Sequence, residues 1–236
     1  AAYPRDALAL QVGHLMDFYR GDALNLRNRV SRVLPAWDER KPGFSFVLGM
    51  HAFGLEEMNQ YTEAEATALR ALALERKDGW AVHAVAHVME MQGRIDEGVR
   101  FLADRENDWS PDNGFAFHNW WHLCLFHLDA QRYADALALY DTRVHPGPAQ
   151  FVLSLVDATA LLWRLYLEGD DQTARWRALA DAWVPAMQMP CYAFNDMHAV
   201  MAYLGADRLA DAERLVDSRS RWLAGDVDPS VTNVTM

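Results

Sequence analysis

Two histidines and a glutamate near the middle of the chain have a spacing that lets them act together. His83, His87 and Glu90 stand at i, i+4 and i+7, so in a helix they share one face. Zinc accepts imidazole and carboxylate ligands, and the same groups transfer protons near neutral pH. The general-base glutamate of a His-Glu-x-x-His zinc motif is absent, however. We therefore favour hydrogen bonds from these histidines to nearby Glu or Asn side chains, and expect neither a metal nor another cofactor.

A second polar and aromatic stretch follows further along the chain. It reads His118-Asn119-Trp120-Trp121-His122. Adjacent tryptophans on a helix point to different faces, so at least one is expected to pack in the core. Two interpretations are equally supported. Either Trp121 is a platform for a ligand, with His118 as its hydrogen-bond or acid/base partner, or the stretch is aromatic core whose N–H groups are satisfied internally.

The unit Asn-x-x-His occurs twice in the chain. Asn119 and His122 form the first copy, and Asn195 and His198 form the second. Residues three apart share a helix face, so each pair projects together. The two copies are separated by twice the interval of a repeat that runs through the chain, which predicts equivalent positions in two of its copies.

This repeat supplies the helices that must position these groups. Short turn-like segments recur, and their anchor residues are Tyr61, Ile95, Tyr133, Asp171 and Leu209. The intervals match the period of the tetratricopeptide repeat, about 34 residues, or exceed it by one helical turn. Three positions after each anchor comes a small residue: Ala64, Gly98, Ala136, Ala174 and Ala212. Small side chains there let two helices approach closely, so the pattern resembles the tetratricopeptide repeat, in which a tight turn joins two helices.

The sequence therefore predicts an all-α fold, an α-α superhelix of about six tetratricopeptide-like helix hairpins. The first helices of the hairpins are expected at 6–20, 43–58, 79–92, 114–129, 149–168 and 191–205. The second helices are expected at 22–34, 62–76, 94–105, 132–142, 171–183 and 208–223. Asp78 is a suitable N-cap for the helix that follows it. One helical-repeat domain is expected over 1–224, with 225–236 as a tail or a linker towards further repeats.

The register of the repeat gathers the unusual residues on one surface. First helices line the concave side of a tetratricopeptide stack, and eight of the nine histidines fall on them. The predicted ligand-binding residues are Glu56, Glu57, Trp80, His83, His87, Glu90, His118, Asn119, Trp121, His122, Asn195 and His198. We predict that this groove binds a small polar molecule or a peptide.

Two alternatives to this binding function remain open. The less favoured one is an enzyme that uses the groove histidines and Glu90 as metal ligands or as general acids and bases. No catalytic residue can be named for it. The other is a scaffold that binds a protein partner on its second helices.

The charge balance excludes two classes of partner. The chain carries 33 acidic and 22 basic residues, a net charge of −11, and its pI is about 5.2. Such a surface repels phosphate backbones and anionic lipids. Two cysteines, Cys124 and Cys191, lie far apart in apolar contexts, which suits a reducing compartment. We predict a cytoplasmic protein without nucleic-acid or membrane partners.

Several blocks of sequence carry a resemblance to a known family. They are residues 48–57, 80–94 and 118–123, together with Leu139-Tyr140-Asp141. With these blocks the chain resembles the tetratricopeptide repeat protein 38 family over most of its length. The resemblance implies an α-α superhelix and a cytoplasmic location, and family chains extend further at both ends. It implies no particular activity.

Overall fold

The protein is built from α-helices joined by short turns. The computed structural model describes residues 3–145, 147, 151–188 and 192–225, and no strand occurs among them. The predicted all-α class is thus confirmed. Within those ranges, every helix is too short or too polar to cross a lipid bilayer. Of the tail predicted at 225–236, only Gly225 belongs to the described residues.

The chain packs as two compact units, Ala1–Tyr133 and Ala134–Met236. The first unit contains α1 (Ala7–Tyr19), α2 (Ala23–Val33), a 3₁₀ turn (Leu34–Ala36), α3 (Phe44–Glu56), α4 (Tyr61–Leu74), α5 (Gly79–Met91), α6 (Ile95–Asp104), α7 (Glu106–Trp109) and α8 (Ala116–Asp129). Helix α9 (Tyr133–Leu139) begins at the division between the units and ends in a π-helical turn (Tyr140–Val144). The second unit continues with α10 (Val152–Leu167), α11 (Thr173–Ala186), α12 (Ala193–Gly205) and α13 (Leu209–Leu223).

All twelve predicted helices correspond to helices of the structure, and α7 is the addition. It forms around Trp109, which is completely buried and whose indole N–H donates to the carbonyl of Leu102 at 2.9 Å. Cys124 is buried in α8, as expected of a small core residue, whereas Cys191 lies outside the described residues.

One backbone turn recurs and explains the sequence period. The residues with positive φ that end a first helix are Gly21, Asn59, Gly93, Gln131, Gly169 and Asp207. These turns are equally spaced, except that Asn59 and Gly93 are closer together by one helical turn. The next residue donates its N–H to the carbonyl five positions earlier, as Gln60 does to Leu55 at 2.9 Å and Arg94 to Met89 at 2.8 Å. This is a Schellman closure, which satisfies carbonyls at a helix end, so the repeat is a property of the backbone as well as of the side chains.

The fourth copy departs from the predicted small-residue pattern. Helix α11 begins four residues after Gly169, whereas α4, α6, α9 and α13 begin two residues after their turn. Ala174 is consequently exposed, and its predicted place in a tight helix contact is wrong. Trp176 occupies that place and is buried. The space comes from Gly205 of α12, where a Cβ atom would lie 2.4 Å from the Trp176 ring.

In the first unit, the first helices of successive repeats pack against one another. Helix α3 contacts α5, and α5 contacts α8, so the three lie side by side. On its other side α3 approaches α2 so closely that a Cβ atom on Gly54 would lie 2.6 Å from the Cα atom of Arg27. The obstacle is backbone, which cannot rotate away as a side chain can.

We therefore expect Gly54→Ala to lower the free energy of unfolding by about 1–3 kcal/mol, the usual range for overpacking. This holds even though alanine is the better helix former by about 1 kcal/mol. Gly114→Ala, in the turn before α8, is the control for an added methyl group that meets no obstacle, because nothing lies within 4 Å of its Cβ atom. Urea denaturation of both variants measures the difference. Equal midpoints for the two would contradict the close α2–α3 contact.

Candidate metal centre

Four histidines from α5 and α8 converge in the first unit. They are His83, His87, His118 and His122, and each offers a ring nitrogen within 4.8 Å of those of the other three. The Nε2 atoms of His83 and His118 are 3.1 Å apart. Each helix contributes a pair at i, i+4, and the packing of α5 on α8 brings the two pairs face to face.

Two carboxylates hold the outer nitrogens of this cluster. Glu90 Oε2 accepts from His122 Nδ1 at 2.9 Å. Glu56 Oε2 lies 3.3 Å from His87 Nδ1, an ion-pair contact whose angle falls outside hydrogen-bond geometry. Because the Nδ1 atoms are turned towards carboxylates, Nε2 is the atom through which these two imidazoles can bind a ligand. Carboxylate–histidine pairs of this kind orient the metal-binding histidines of many proteins.

The surroundings set opposite protonation preferences within the cluster. Burial, helped by the neighbouring imidazoles, holds the pKa of His83 well below its ordinary value, so that this ring is neutral. Burial also acts to lower the pKa of His87, but Glu56, Glu90 and Glu57 outweigh it and raise that pKa. Burial beside Glu56 raises the pKa of Glu57. Neutral imidazole is the form that binds metals.

Aromatic rings surround the histidines. Phe53 contacts the rings of His83 and His87 at centroid distances of 5.2 and 5.6 Å. Phe115 contacts His83 at 5.2 Å, and Trp80 stacks on Phe115 at 4.4 Å. Phe53 and Phe115 are not among the predicted site residues. Phe115 falls within the helix predicted at 114–129, but in the structure it precedes α8, so the register of that helix does not give its direction.

The two tryptophans of the 118–122 stretch have separate roles. Trp120 is buried and packs against Trp109 at 4.6 Å between ring centroids, as expected of a core residue. Trp121 is partly exposed and stacks on His118 at 5.2 Å with an interplanar angle of 14°. Trp121 therefore lies beside the cluster as one of its walls.

The two Asn-x-x-His units make different contacts. Asn119 is completely buried and donates to the carbonyl of Gly79 at 3.2 Å, which ties α8 to the start of α5. In the second unit His198 is buried, and its Nδ1 lies 2.8 Å from the carbonyl of Phe194 in its own helix. Asn195 is half-buried on the same helix. The equivalence is thus one of position in the repeat, while the hydrogen bonds differ.

The dimensions of the cluster suit a metal ion. Zinc–nitrogen bonds of 2.0–2.1 Å place tetrahedral nitrogen ligands about 3.4 Å apart. The 3.1 Å between His83 and His118 and the 4.8 Å limit for the whole set bracket that value. His83 and His122 are buried, whereas His87 and His118 are partly exposed, so one side of the centre faces solvent.

Comparison of the sequence with models of known protein families finds no match. The interpretation of this centre therefore depends on its geometry and chemistry.

Asp78 positions the helix that carries His83 and His87. As predicted, it caps α5: one carboxylate oxygen accepts from the backbone N–H groups of Trp80 and Ala81, each at 3.1 Å. The other oxygen is buried without a hydrogen-bond partner among the described residues. Burial raises the pKa of Asp78 to about 6, although the two N–H groups act to lower it.

A raised carboxyl pKa means that ionisation costs more in the folded protein than in the unfolded chain. The contribution of Asp78 is fully present below about pH 4 and is lost as the pH rises to about 6. Asn keeps the cap without the charge. We expect Asp78→Asn to be more stable than the wild type at pH 7.5 by about 1–2 kcal/mol, somewhat less than a pKa change of that size implies. Denaturation from pH 3.5 to 7.5 measures this, and a difference that does not change with pH would contradict it.

Proposed function

We propose that this chain is a transition-metal-binding protein whose centre is the four-histidine cluster of His83, His87, His118 and His122. The observation that carries the proposal is the convergence of four imidazoles within 4.8 Å. Imidazole sets of this kind suit zinc, copper, nickel or iron, and oxygen-seeking ions such as magnesium and calcium are disfavoured. The sequence offered these four histidines and Glu90 as metal ligands of an enzyme. In the structure Glu90 instead contacts one of the proposed ligands, His122.

The charges around the cluster support a divalent ion. Glu56 and Glu90 each contact one histidine, so two carboxylates beside the cluster can balance the +2 charge of a bound ion. A buried cation without such compensation would be unstable. Neutral His83 adds a ligand without adding charge. The arrangement has the ligands, the orienting partners and the charge balance of a metal centre.

The alternative favoured from sequence is a purely hydrogen-bonded cluster, and it accounts less well for the crowding of the imidazoles. Ring centroids lie 4.2 Å apart for His83 and His87 and 5.0 Å apart for His83 and His122. Such crowding adds a penalty whenever more than one ring is protonated. A bound cation removes this penalty, since it holds all four rings neutral. Nδ1 of His83 is buried without a hydrogen-bond partner among the described residues under either interpretation, because Nε2 is the nitrogen that faces the cluster.

The centre is also accessible enough to receive a second ligand. His87 and His118 are partly exposed, and Trp121 lies beside His118. The small polar molecule predicted from sequence would reach the metal from this side. The sequence also predicted peptide binding, a scaffold role or an enzymatic activity. The geometry of the centre adds no support to these three, and they stay predictions.

We further propose that the chain is a tetratricopeptide-type superhelix of the tetratricopeptide repeat protein 38 family. The support is the six-fold recurrence of the same positive-φ turn at nearly constant intervals. The lateral contacts of α3, α5 and α8 are those that such a repeat requires of its first helices.

The first test is metal stoichiometry. Protein stripped with a chelator and titrated with Zn²⁺ by calorimetry should bind one ion per chain. Co²⁺ should give the visible bands of a nitrogen-coordinated site with few ligands. His118→Ala, which removes a partly exposed ligand, should weaken Zn²⁺ binding by at least about a hundredfold, as loss of a direct ligand exceeds the 10–100-fold cost of losing an outer partner.

His127→Ala is the control for that experiment, since it removes a histidine from the same helix outside the cluster. It should bind Zn²⁺ like the wild type. Circular dichroism establishes that each variant is folded. A folded wild type that binds no ion at micromolar Zn²⁺, or equal affinities for the two variants, would overturn the proposal.

A second prediction concerns the outer carboxylate. Glu90→Gln preserves the size of the side chain and an acceptor for His122 Nδ1 but removes the charge that makes the imidazole a better ligand. We expect Zn²⁺ affinity to fall about tenfold, at the lower end of the usual range. Glu63→Gln on α4, an exposed change of the same kind, should leave it unaltered. Identical affinities would show that Glu90 has no part in the site.

A further inference from the structure

A cleft of about 810 Å³ opens in the first unit where α2, the 3₁₀ turn, α3 and α4 meet. It shares no lining residue with the histidine cluster. Its volume lies in the range of pockets that enclose small organic molecules. The cleft is therefore a candidate binding site separate from the histidine cluster.

One side of the cleft is apolar and aromatic. Trp37, Phe44 and Leu48 line it. Trp37 is held in place by its indole N–H, which donates to the carbonyl of Pro4 at 2.9 Å, and Phe44 is buried at the start of α3. Phe44 and Leu48 are already buried, whereas Trp37 is partly exposed. The hydrocarbon body of a ligand would therefore displace water chiefly from Trp37, at a gain of about 25 cal/mol per Å² of apolar area.

The lining also includes a hydroxyl–imidazole pair. Ser31 Oγ lies 3.0 Å from His51 Nε2, and it also donates to the carbonyl of Arg27 at 3.0 Å. With that proton committed to the carbonyl, His51 Nε2 donates to Ser31. Burial, with Arg27 nearby, lowers the pKa of His51, so the ring is neutral at pH 7. The pair supplies polar contacts without charge.

The charged residues that line the cleft balance one another. Arg40 pairs with Asp38, and Arg70 pairs with Glu39 at 2.9 Å. Lys41 also binds Asp38 but is not a lining residue. In a chain whose net charge is −11, a cleft without excess negative charge repels an anionic ligand less than the rest of the surface does.

Arg70 is the cation placed to bind such a ligand. Its guanidinium carbon lies 5.4 Å from the centroid of Phe44, on the aromatic wall. Its ion pair with Glu39 is more than half exposed on both sides, and exposed pairs contribute little. Exchanging Glu39 for the carboxylate of a ligand would therefore cost little, and the bidentate guanidinium geometry suits a carboxylate.

We propose that this cleft is a second ligand site, which takes a small organic acid with an aromatic or branched apolar body. The body packs on Trp37, Phe44 and Leu48, and the carboxylate binds Arg70. This site is independent of the metal centre and of its proposed function.

Indole-3-acetate is a suitable probe, because it joins an aromatic body to one carboxylate. Calorimetry with the full chain should give saturable binding with a dissociation constant below about 1 mM, a modest affinity for so small a ligand. Indole-3-acetamide and tryptamine keep the body but replace the anion by a neutral group and a cation. Each should bind at least about tenfold more weakly, since a charged hydrogen bond to Arg70 is lost.

Arg70→Gln should weaken binding of indole-3-acetate by about tenfold. Arg100→Gln removes the same charge from an exposed site on α6 and should not change it. His118→Ala should also have no effect, which separates this site from the metal centre. The proposal is overturned if indole-3-acetate shows no saturable binding up to about 10 mM, roughly ten times the expected constant. It is also overturned if the amide binds equally well, or if the Arg70 and Arg100 variants behave alike.

Discussion

The contact between α5 and α8 is the constraint on which the candidate centre depends. A helix pair with histidines at i, i+4 on each facing side brings four imidazoles into one space only if the helices are packed side by side in the right register. Here His83 and His118 meet at 3.1 Å because the first turn of α8 is tied to the start of α5, where Asn119 donates to the carbonyl of Gly79. The same positive-φ turn ends both helices, at Gly93 after α5 and at Gln131 after α8. The register of the two helices thus determines which side chains can share a ligand.

Much of the fold could be predicted from the sequence because its signals are local. Helices and turns leave their mark in spacing, small residues and caps, as Asp78 does at the start of α5. The failure at Ala174 has a specific cause. Two extra residues between Gly169 and Thr173 shift the register of α11, and a large residue, Trp176, pairs with a glycine on the other helix. The spacing of residues along the sequence reveals the turn. It does not reveal that at this contact the large residue lies on α11 and the small one on α12.

The four histidines and the carboxylates beside them were all among the residues predicted from sequence, whereas Asn195 and His198 of the same predicted set lie in the second unit. The roles of the cluster residues were less predictable. On α5 alone, His83, His87 and Glu90 form one polar face, and any of them qualifies as a metal ligand. The structure directs Glu90 across to His122 of α8, and directs Glu56 of α3 to His87. Which groups are ligands and which are their partners depends on distances between helices, and a spacing along one helix contains no such information. Phe115 was missed for a related reason, because the sequence placed it inside the helix predicted at 114–129, whereas it precedes α8 and does not follow the register of that helix.

The two proposed sites, both in the first unit, differ in the charge of the residues around them. Around the histidines, Glu56, Glu57 and Glu90 concentrate negative charge next to rings that burial would otherwise keep neutral, and they raise the pKa of His87. At the cleft, Arg40 and Arg70 balance the carboxylates of Asp38 and Glu39 that they bind. Charges next to a ligand act on it more strongly than charges farther away across the surface, which salt screens, so the local charge matters more than the net charge of −11. A cation at the first site and an organic anion at the second are therefore compatible on one acidic chain, since each responds to its own surroundings.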